Sequence, residues 1–117
     1  MKENPVVTKS FAFALRIVKL YRHLVAEKHE YVLSKELLIS GTNIGKHVKG
    51  AVNAEGKPVF ISEMGIARRK ASETEYWLQL LLFGEFISQR EFDSIEADRQ
   101  ELHKILTSIV MTSRENA

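Results

Sequence analysis

The sequence predicts an all-α protein, a single antiparallel four-helix bundle whose helices run up-down-up-down. Four segments carry apolar residues at the i, i+3, i+4, i+7 spacing of an amphipathic helix. Short connections join these segments, and short connections make neighbouring helices antiparallel. Only two prolines occur in 117 residues, so long helices can run without interruption. Because 44% of the residues are hydrophobic, a chain of this length can bury one core and forms one domain.

The first helix is predicted over residues 10–27, with residues 1–9 outside it. Ser10 is a candidate N-cap, because its hydroxyl can accept a hydrogen bond from a free N–H group of the first turn. Apolar residues recur at helical spacing and predict the buried face. They are Phe11, Ala14, Val18, Tyr21 and Val25, with Leu15, Ile17 and Leu24 widening the stripe.

The second helix is predicted over residues 34–54. Its inner face is expected to comprise Leu37 or Leu38, Gly41, Ile44, Val48 and Val52. Gly41 and Gly45 are four residues apart and therefore share a face. A glycine inside a helix costs about 1 kcal/mol relative to alanine, which calls for a compensating reason. We expect a close approach of a neighbouring helix, and a kink near Gly41-Thr42 is the alternative.

The third helix is predicted over residues 58–83. Pro58 suits the first helical position, where the missing N–H group is not needed. Gly84 is a candidate C′ residue, because glycine readily adopts the left-handed conformation that ends many helices. A regular apolar heptad predicts the buried face. It comprises Phe60, Met64, Ala67, Ala71, Thr74, Leu78 and Leu81.

The fourth helix is predicted over residues 89–113. Ser88 and Glu91 have the spacing of a capping box, and Ile87 and Phe92 have the spacing of a hydrophobic staple. The buried stripe is expected to comprise Phe92, Ile95, Leu102, Leu106 and Ile109. Arg99 falls on the same stripe and therefore needs an acidic partner.

The composition excludes several classes of site. The chain has no cysteine, which excludes disulfides, thiolate zinc sites and cysteine nucleophiles, and which suits a reducing cytoplasm. No signal peptide is visible, and no apolar run approaches the ~18 residues of a membrane span. None of the four histidines follows an acidic residue by three positions, as a di-iron bundle would require. We therefore predict no catalytic residue, no metal site and no cofactor.

Glu73 flanks the apolar heptad of the third helix and lies one turn from Trp77. The simpler interpretation is a local ion pair with Arg69 or Lys70. The alternative is a contact across helices or subunits, with Arg99 as a candidate partner. Glu75 is expected to point more outward.

Basic residues cluster on the second and third helices. They are Lys35, Lys46, His47, Lys49, Arg68, Arg69 and Lys70. In an antiparallel hairpin centred near Gly56, Lys46 and Arg68 lie at nearly the same height, so the two groups could merge into one positive band. A solvated polar face and a phosphate-binding surface both explain such a band. Tyr76 could offer a stacking ring, although packing in the core or in an interface is the simpler explanation.

Four segments carry a resemblance to a known family. The segments FALRIVKLYRHL, EYVLSKELLISGTNIG, FISEMGIARRKASETEYWLQLL and ELHKILTSIV, in this order, resemble the 23S rRNA-intervening sequence or "four helix bundle protein" family over residues 10–113. The resemblance implies a four-helix bundle assembled as a homopentamer. It also implies a relation to the accessory variability protein of diversity-generating retroelements, which binds nucleic acid and its reverse transcriptase. Glu73, Thr74, Glu75, Tyr76 and Trp77 match the family motif, which implies a role in contacts between subunits.

The chain departs from the family pattern at two segments. After SGTNIG the family typically continues Ala-Asn-Ile-Glu-Glu-Ala, whereas this chain has Lys-His-Val-Lys-Gly-Ala at 46–51. Before ETEYWL the family usually has a mixed Lys/Glu stretch, whereas this chain has Arg-Arg-Lys at 68–70. Both departures make the chain more basic where the hairpin argument places the positive band.

Three functional hypotheses follow from the sequence. The first is a non-enzymatic nucleic-acid-binding accessory protein that acts as a homo-oligomer, with RNA as the first choice of ligand, DNA as the second, and a reverse transcriptase as a further candidate partner. The second is a structural or protein-interaction module in which the basic residues are incidental. The third is an enzyme, for which no site is found in the sequence.

Overall fold

The computed structural model describes residues 4–116 and contains four helices in this range. They are α1 Pro5–Ala26, α2 Leu33–Val52, α3 Lys57–Phe83 and α4 Gln89–Glu115. Consecutive helices pack against each other, and α4 also packs against α1. Within the described residues, the diagonal pairs α1–α3 and α2–α4 do not approach each other. The four helices therefore form a closed square, which confirms the predicted four-helix bundle.

The first helix begins five residues earlier than its pattern predicts. Asn4 is the N-cap, and its side-chain oxygen accepts a hydrogen bond from the Val6 N–H group at 3.2 Å. Pro5 follows at the first helical position, where it needs no hydrogen-bond partner. Ser10 is not the cap. It is buried inside the helix, and its hydroxyl donates to the Val7 carbonyl at 3.1 Å.

The buried face of α1 is rotated relative to the prediction. The core residues are Val6, Phe13, Ile17, Leu20 and Leu24. Phe11 is 65% exposed and Leu15 is 48% exposed. Apolar residues cover more than one side of this helix, and periodicity alone does not tell which side faces the core. The bundle therefore leaves an apolar strip of α1 on its surface.

Glu30 begins α2. Its carboxylate accepts hydrogen bonds from the N–H groups of Val32, Leu33 and Ser34 at 3.0, 2.8 and 2.6 Å. Burial alone would raise the pKa of Glu30, but these backbone donors stabilise the carboxylate and hold its pKa below the usual value. Ser34 adds a hydrogen bond from its hydroxyl to the Glu30 carbonyl at 2.7 Å. The start of α2 therefore depends on a buried, ionised carboxylate.

The close approach predicted at Gly41 is confirmed. A Cβ atom at this position would lie 2.8 Å from Cγ1 of Ile17, which is fully buried and has no room to move. The helix continues through Gly41-Thr42 without interruption. At the end of this helix, the prediction that Val52 lies on the inner face is wrong, because Val52 is exposed and Ala51 is buried.

The end of α3 forms a Schellman motif. The Phe86 N–H group donates to the Leu81 carbonyl at 2.9 Å, and the Glu85 N–H group donates to the Leu82 carbonyl at 3.0 Å. The left-handed residue is Glu85, with φ of 66°, whereas Gly84 has φ of −80° and is not the C′ residue predicted. The glycine therefore lies one residue before the left-handed position, and a glutamate has to adopt the strained conformation instead.

The predicted capping box at the start of α4 is confirmed. The Glu91 N–H group donates to Ser88 Oγ at 3.1 Å, and the Ser88 N–H group donates to Glu91 Oε1 at 2.9 Å. These hydrogen bonds hold the pKa of Glu91 below its usual value. The heptad of α3 is buried as predicted from Met64 to Leu81, and Phe60 packs at the edge of the core.

Candidate nucleic-acid interface

The basic residues predicted to form one band lie in two separate grooves. Lys46 and Lys49 line the groove between α1 and α2. Arg68 and Arg69 line the groove between α3 and α4. These grooves are on opposite sides of the square bundle. Equal height along the hairpin was the basis of the prediction, but the phase of each helix turns the two groups away from each other.

Two of the other predicted site residues lie within hydrogen-bond distance of a carboxylate. His47 Nδ1 lies 2.6 Å from Oε2 of Glu63, across the contact between α2 and α3. Lys70 Nζ lies 3.1 Å from Oε2 of Glu73. Both side chains therefore have an acidic neighbour. Lys35 is exposed on the first turn of α2, away from either groove.

Of the surfaces that the predicted basic residues form, the groove between α3 and α4 is the most basic. It has a volume of about 710 Å³ and brings Arg114 of α4 next to Arg68 and Arg69. Within residues 4–116, no carboxylate lies within 4.0 Å of any of these three guanidinium groups. Arg114 was not predicted from the sequence, because it lies 45 residues from Arg69 and only the pairing of α3 with α4 brings it close.

Ser72 and His103 lie in the same groove. Ser72 Oγ is 3.2 Å from Nε2 of His103. Burial lowers the pKa of His103, and the positive charges of Arg99 and Arg68 lower it further. A serine nucleophile needs the opposite environment, in which a carboxylate stabilises the imidazolium that forms. The surroundings of this pair therefore favour anion binding over acyl transfer.

Arg99 is the centre of a buried ion cluster between α3 and α4. Its Nε and Nη2 atoms donate to the two carboxylate oxygens of Glu96 at 2.6 and 2.8 Å. Nη2 also donates to Glu75 at 2.9 Å, and Nη1 donates to the Ala71 carbonyl at 3.2 Å. Arg99 is 5% exposed and Glu96 is 7% exposed. The cluster therefore joins the two helices from inside, and its buried groups are satisfied.

Of the two predictions for the acidic residues of α3, one is confirmed and one is wrong. The local pairing of Glu73 is confirmed, since its partner is Lys70 at three residues' distance. The outward position predicted for Glu75 is wrong, because Glu75 is the residue on α3 that reaches Arg99. Glu96 was missed, although its position three residues before a cation on an apolar stripe was a usable signal.

The pKa values of the two carboxyl groups of the cluster are shifted in opposite directions. A hydrogen bond with Glu96 and partial burial raise the pKa of Glu75, against the attraction of Arg99. Burial opposes ionisation of Glu96, but its hydrogen bonds with Arg99 and Glu75 lower its pKa. Two carboxyl groups that share one guanidinium therefore differ in charge state as the pH falls.

Two apolar surfaces lie on other sides of the bundle. The groove between α1 and α2 has a volume of about 730 Å³ and mainly apolar walls, with Lys46 and Lys49 at its side. Its apolar residues are Val7, Phe11, Ala14 and Val52.

The second apolar surface lies between α2 and α3 and contains Ile39, Tyr76 and Trp77, with Glu36 and Glu73 beside them. Tyr76 is 57% exposed and packs edge-to-face against Trp77, with 5.1 Å between ring centroids. Its ring therefore belongs to this apolar surface and not to the groove that contains Arg68 and Arg69.

In residues 4–116, no group of three or more His, Cys, Asp or Glu side chains is arranged to hold a metal ion. No helix in this part of the chain is long and apolar enough to cross a membrane.

The fold and the candidate site define a small four-helix-bundle protein with a cationic groove between two of its helices. The model of the 23S rRNA-intervening sequence protein family matches residues 2–108, and the chain belongs to this family. No curated protein matches the chain. A similar solved structure is that of a protein of unknown function from the S23 ribosomal protein family of Bacteroides thetaiotaomicron VPI-5482. It is 46% identical, with a TM-score of 0.88 over 90% of this chain and 97% of that chain.

Proposed function

We propose that this protein is a non-enzymatic accessory protein that binds nucleic acid, RNA first, and acts as a homo-oligomer in the cytoplasm. The observation that supports binding is the set of exterior cations without an acidic partner. The chain has 17 lysines and arginines and 15 acidic residues. Lys46, Lys49, Arg68 and Arg69 have no carboxylate within 4.0 Å in residues 4–116.

Cations on helix faces contact phosphates and do not read base edges. Binding should therefore depend little on sequence and fall steeply with salt. The expected slope of log affinity against log salt is about −0.7 per phosphate contacted on a single strand and about −0.9 on a duplex.

The test is fluorescence anisotropy with a labelled RNA hairpin at about 50 mM and about 200 mM salt, a range over which phosphate contacts lose most of their affinity. We expect wild type to bind at the lower salt and Lys46→Glu/Arg69→Glu to bind much more weakly. Lys28→Glu/Lys104→Glu is the control, because it makes the same change in net charge at two exposed positions outside both grooves. Absence of binding by wild type, or equal loss in the control, would defeat the proposal.

The proposal of self-assembly rests on the two apolar surfaces. The surface beside Lys46 and Lys49 is flanked by positive charge. The surface between α2 and α3 carries Glu36 and the Lys70–Glu73 ion pair, which together leave one negative charge. Two different, complementary surfaces on one chain favour a head-to-tail contact, which closes into a ring when the rotation per subunit allows it. The number five comes from the family resemblance alone. We therefore propose a ring-shaped homopentamer.

Light scattering after size exclusion tests the assembly. Wild type should elute as a species several times larger than the 13.4 kDa chain, and Phe11→Arg should reduce its size, because Phe11 lies in the apolar groove. Phe83→Arg is the matched control, since Phe83 is 81% exposed and lies in neither surface. A wild-type monomer at micromolar concentration would contradict the proposal.

The second candidate function is a protein-interaction module, which the same apolar surfaces favour. It predicts assembly without salt-dependent RNA binding. A reverse transcriptase is the candidate partner that the resemblance to the retroelement accessory protein implies. Co-purification of the two tagged proteins with nuclease treatment tests this, because a direct contact survives the loss of nucleic acid.

A further inference from the structure

The groove between α3 and α4 is long compared with a single anion. Its lining on α3 runs from Ile61 to Ser72, and α4 contributes His103, Val110 and Arg114. At ~1.5 Å rise per residue, the α3 side alone is about 16 Å long. Such a groove suits a chain of phosphates better than one isolated phosphate.

Three guanidinium groups set the charge of the groove. Arg68 and Arg69 come from α3, and Arg114 comes from α4. Arg68 is half-buried, which reduces the screening of its charge by salt. Guanidinium groups donate paired hydrogen bonds that match the oxygens of a phosphate. Because no carboxylate in residues 4–116 lies within 4.0 Å of them, their donors are available to a ligand.

Ser72 and His103 supply uncharged hydrogen-bonding groups at the same place. When Nε2 of His103 donates to Ser72 Oγ at 3.2 Å, the serine hydroxyl keeps its own proton for a phosphate oxygen. Within the described residues, the charged side chains that line this groove beside the imidazole are those of Arg68, Arg69 and Arg114. An anion that enters the groove relieves the repulsion among them.

We propose that this groove is the phosphate-binding site for nucleic acid, in which Arg68, Arg69 and Arg114 bind successive phosphodiester groups and Ser72 donates a hydrogen bond. This inference rests on the proposed function and assigns it to one side of the bundle. It adds Arg114, Ser72 and His103 to the site and excludes Lys46 and Lys49. The apolar groove that contains those lysines is left for contact with another copy of the chain.

The experiment compares charge reversals in the two grooves, with the same labelled RNA hairpin and a salt titration. Arg69→Glu/Arg114→Glu should reduce the steepness of the log–log salt dependence by about 1.4–1.8, because two phosphate contacts are lost. Lys46→Glu/Lys49→Glu makes the same change in charge and should leave that slope as in wild type. Arg69→Lys/Arg114→Lys should keep the slope close to wild type, since each lysine still neutralises a phosphate.

Resonances of the His103 ring provide a second measurement, which does not depend on affinity. Addition of the RNA hairpin to wild type should shift them, and the shift should be absent from Arg69→Glu/Arg114→Glu. Circular dichroism and the unfolding midpoint check that this variant is folded, which its exposed positions allow.

The possible results separate the two proposals. A changed slope in the lysine variant with an unchanged slope in the arginine variant would overturn the groove assignment and leave RNA binding intact. Equal changes in both variants would also overturn the assignment, because general charge would then explain binding. Absence of binding by wild type at about 50 mM salt, where phosphate contacts are strong, would overturn both proposals.

Discussion

Glu73 and Glu75 are only two residues apart on α3, yet the ion-pair clusters that they form lie in different environments. Glu73 pairs with Lys70 on the surface, and its side chain is 52% exposed. The side chain of Glu75 is 40% exposed, but its carboxylate reaches Arg99, whose side chain is 7% exposed and is also paired with Glu96, which is 9% exposed. A step of two residues turns a helix by about 200°, so one acid faces solvent and the other faces α4. The charge of a residue therefore says little about its role until the phase of its helix is known.

The two clusters should differ strongly in energy. An exposed pair at i, i+3 contributes a few tenths of a kcal/mol, because water and salt screen it. Removal of one partner from a buried pair leaves an uncompensated charge and is far more costly. Replacement of a whole buried cluster by apolar residues is often neutral, so these large losses measure dependence between partners and not the net contribution of the cluster.

Arg99→Ala should have the largest effect. It leaves Glu96 buried without its cation and should lower the free energy of unfolding by about 3–5 kcal/mol, measured by urea denaturation. Arg16→Ala is the control, because Arg16 pairs with Asp98 at 2.7 Å on the surface and should lose less than about 1 kcal/mol. Similar losses in the two variants would remove the distinction between the clusters.

Glu96→Gln should have an intermediate effect of about 1.5–3 kcal/mol at neutral pH, since hydrogen bonds to a charged group are replaced by neutral ones. The pKa of Glu96 is lowered in the folded state, so its contribution is present above the usual pKa of 4.5 and is lost as the pH falls through the folded pKa. The pKa of Glu75 is raised, so Glu75 protonates first.

Urea unfolding of wild type and Glu96→Gln at several pH values between about 3 and 7, the range in which carboxyl groups titrate, measures this difference. The difference in unfolding free energy should be constant near neutrality and shrink below pH 4.5. A difference that grows on acidification would contradict the assigned charge states.

Glu73→Ala should have the smallest effect, a loss of about 0.3–0.5 kcal/mol that decreases at high salt. A loss as large as that of Arg99→Ala would show that Glu73 has a further partner, for example in an assembled oligomer. Repeating the measurement at several protein concentrations distinguishes these cases, because only an intermolecular contact depends on concentration.

The helix boundaries show how far local signals reach. The capping box of Ser88 and Glu91 was correctly predicted, because both partners lie within four residues of each other. The start of α1 was misplaced at Ser10, although Asn4-Pro5 is itself a local start signal. The start of α2 depends on Glu30, whose side chain folds back over three N–H groups and matches no common N-cap pattern.

The candidate site could be predicted only in part. Arg68 and Arg69 were identified from the sequence as part of a run of basic residues on the third helix. Arg114, Ser72 and His103 were not identified, because nothing near them in the sequence marks them as neighbours of those arginines. The separation of Lys46 and Lys49 from the arginines also depends on how each helix is rotated in the bundle.

The sequence by itself determined four amphipathic helices, their order and the bundle class, because apolar periodicity and short connections act over a few residues. Only the tertiary structure decided which face of α1 enters the core, which acid reaches Arg99 and which cations share a groove. These outcomes depend on helix rotation, which is set by close packing such as that of Gly41 against Ile17. A rotation of one residue position, about 100°, moves a side chain from the core to the surface while leaving the local pattern unchanged.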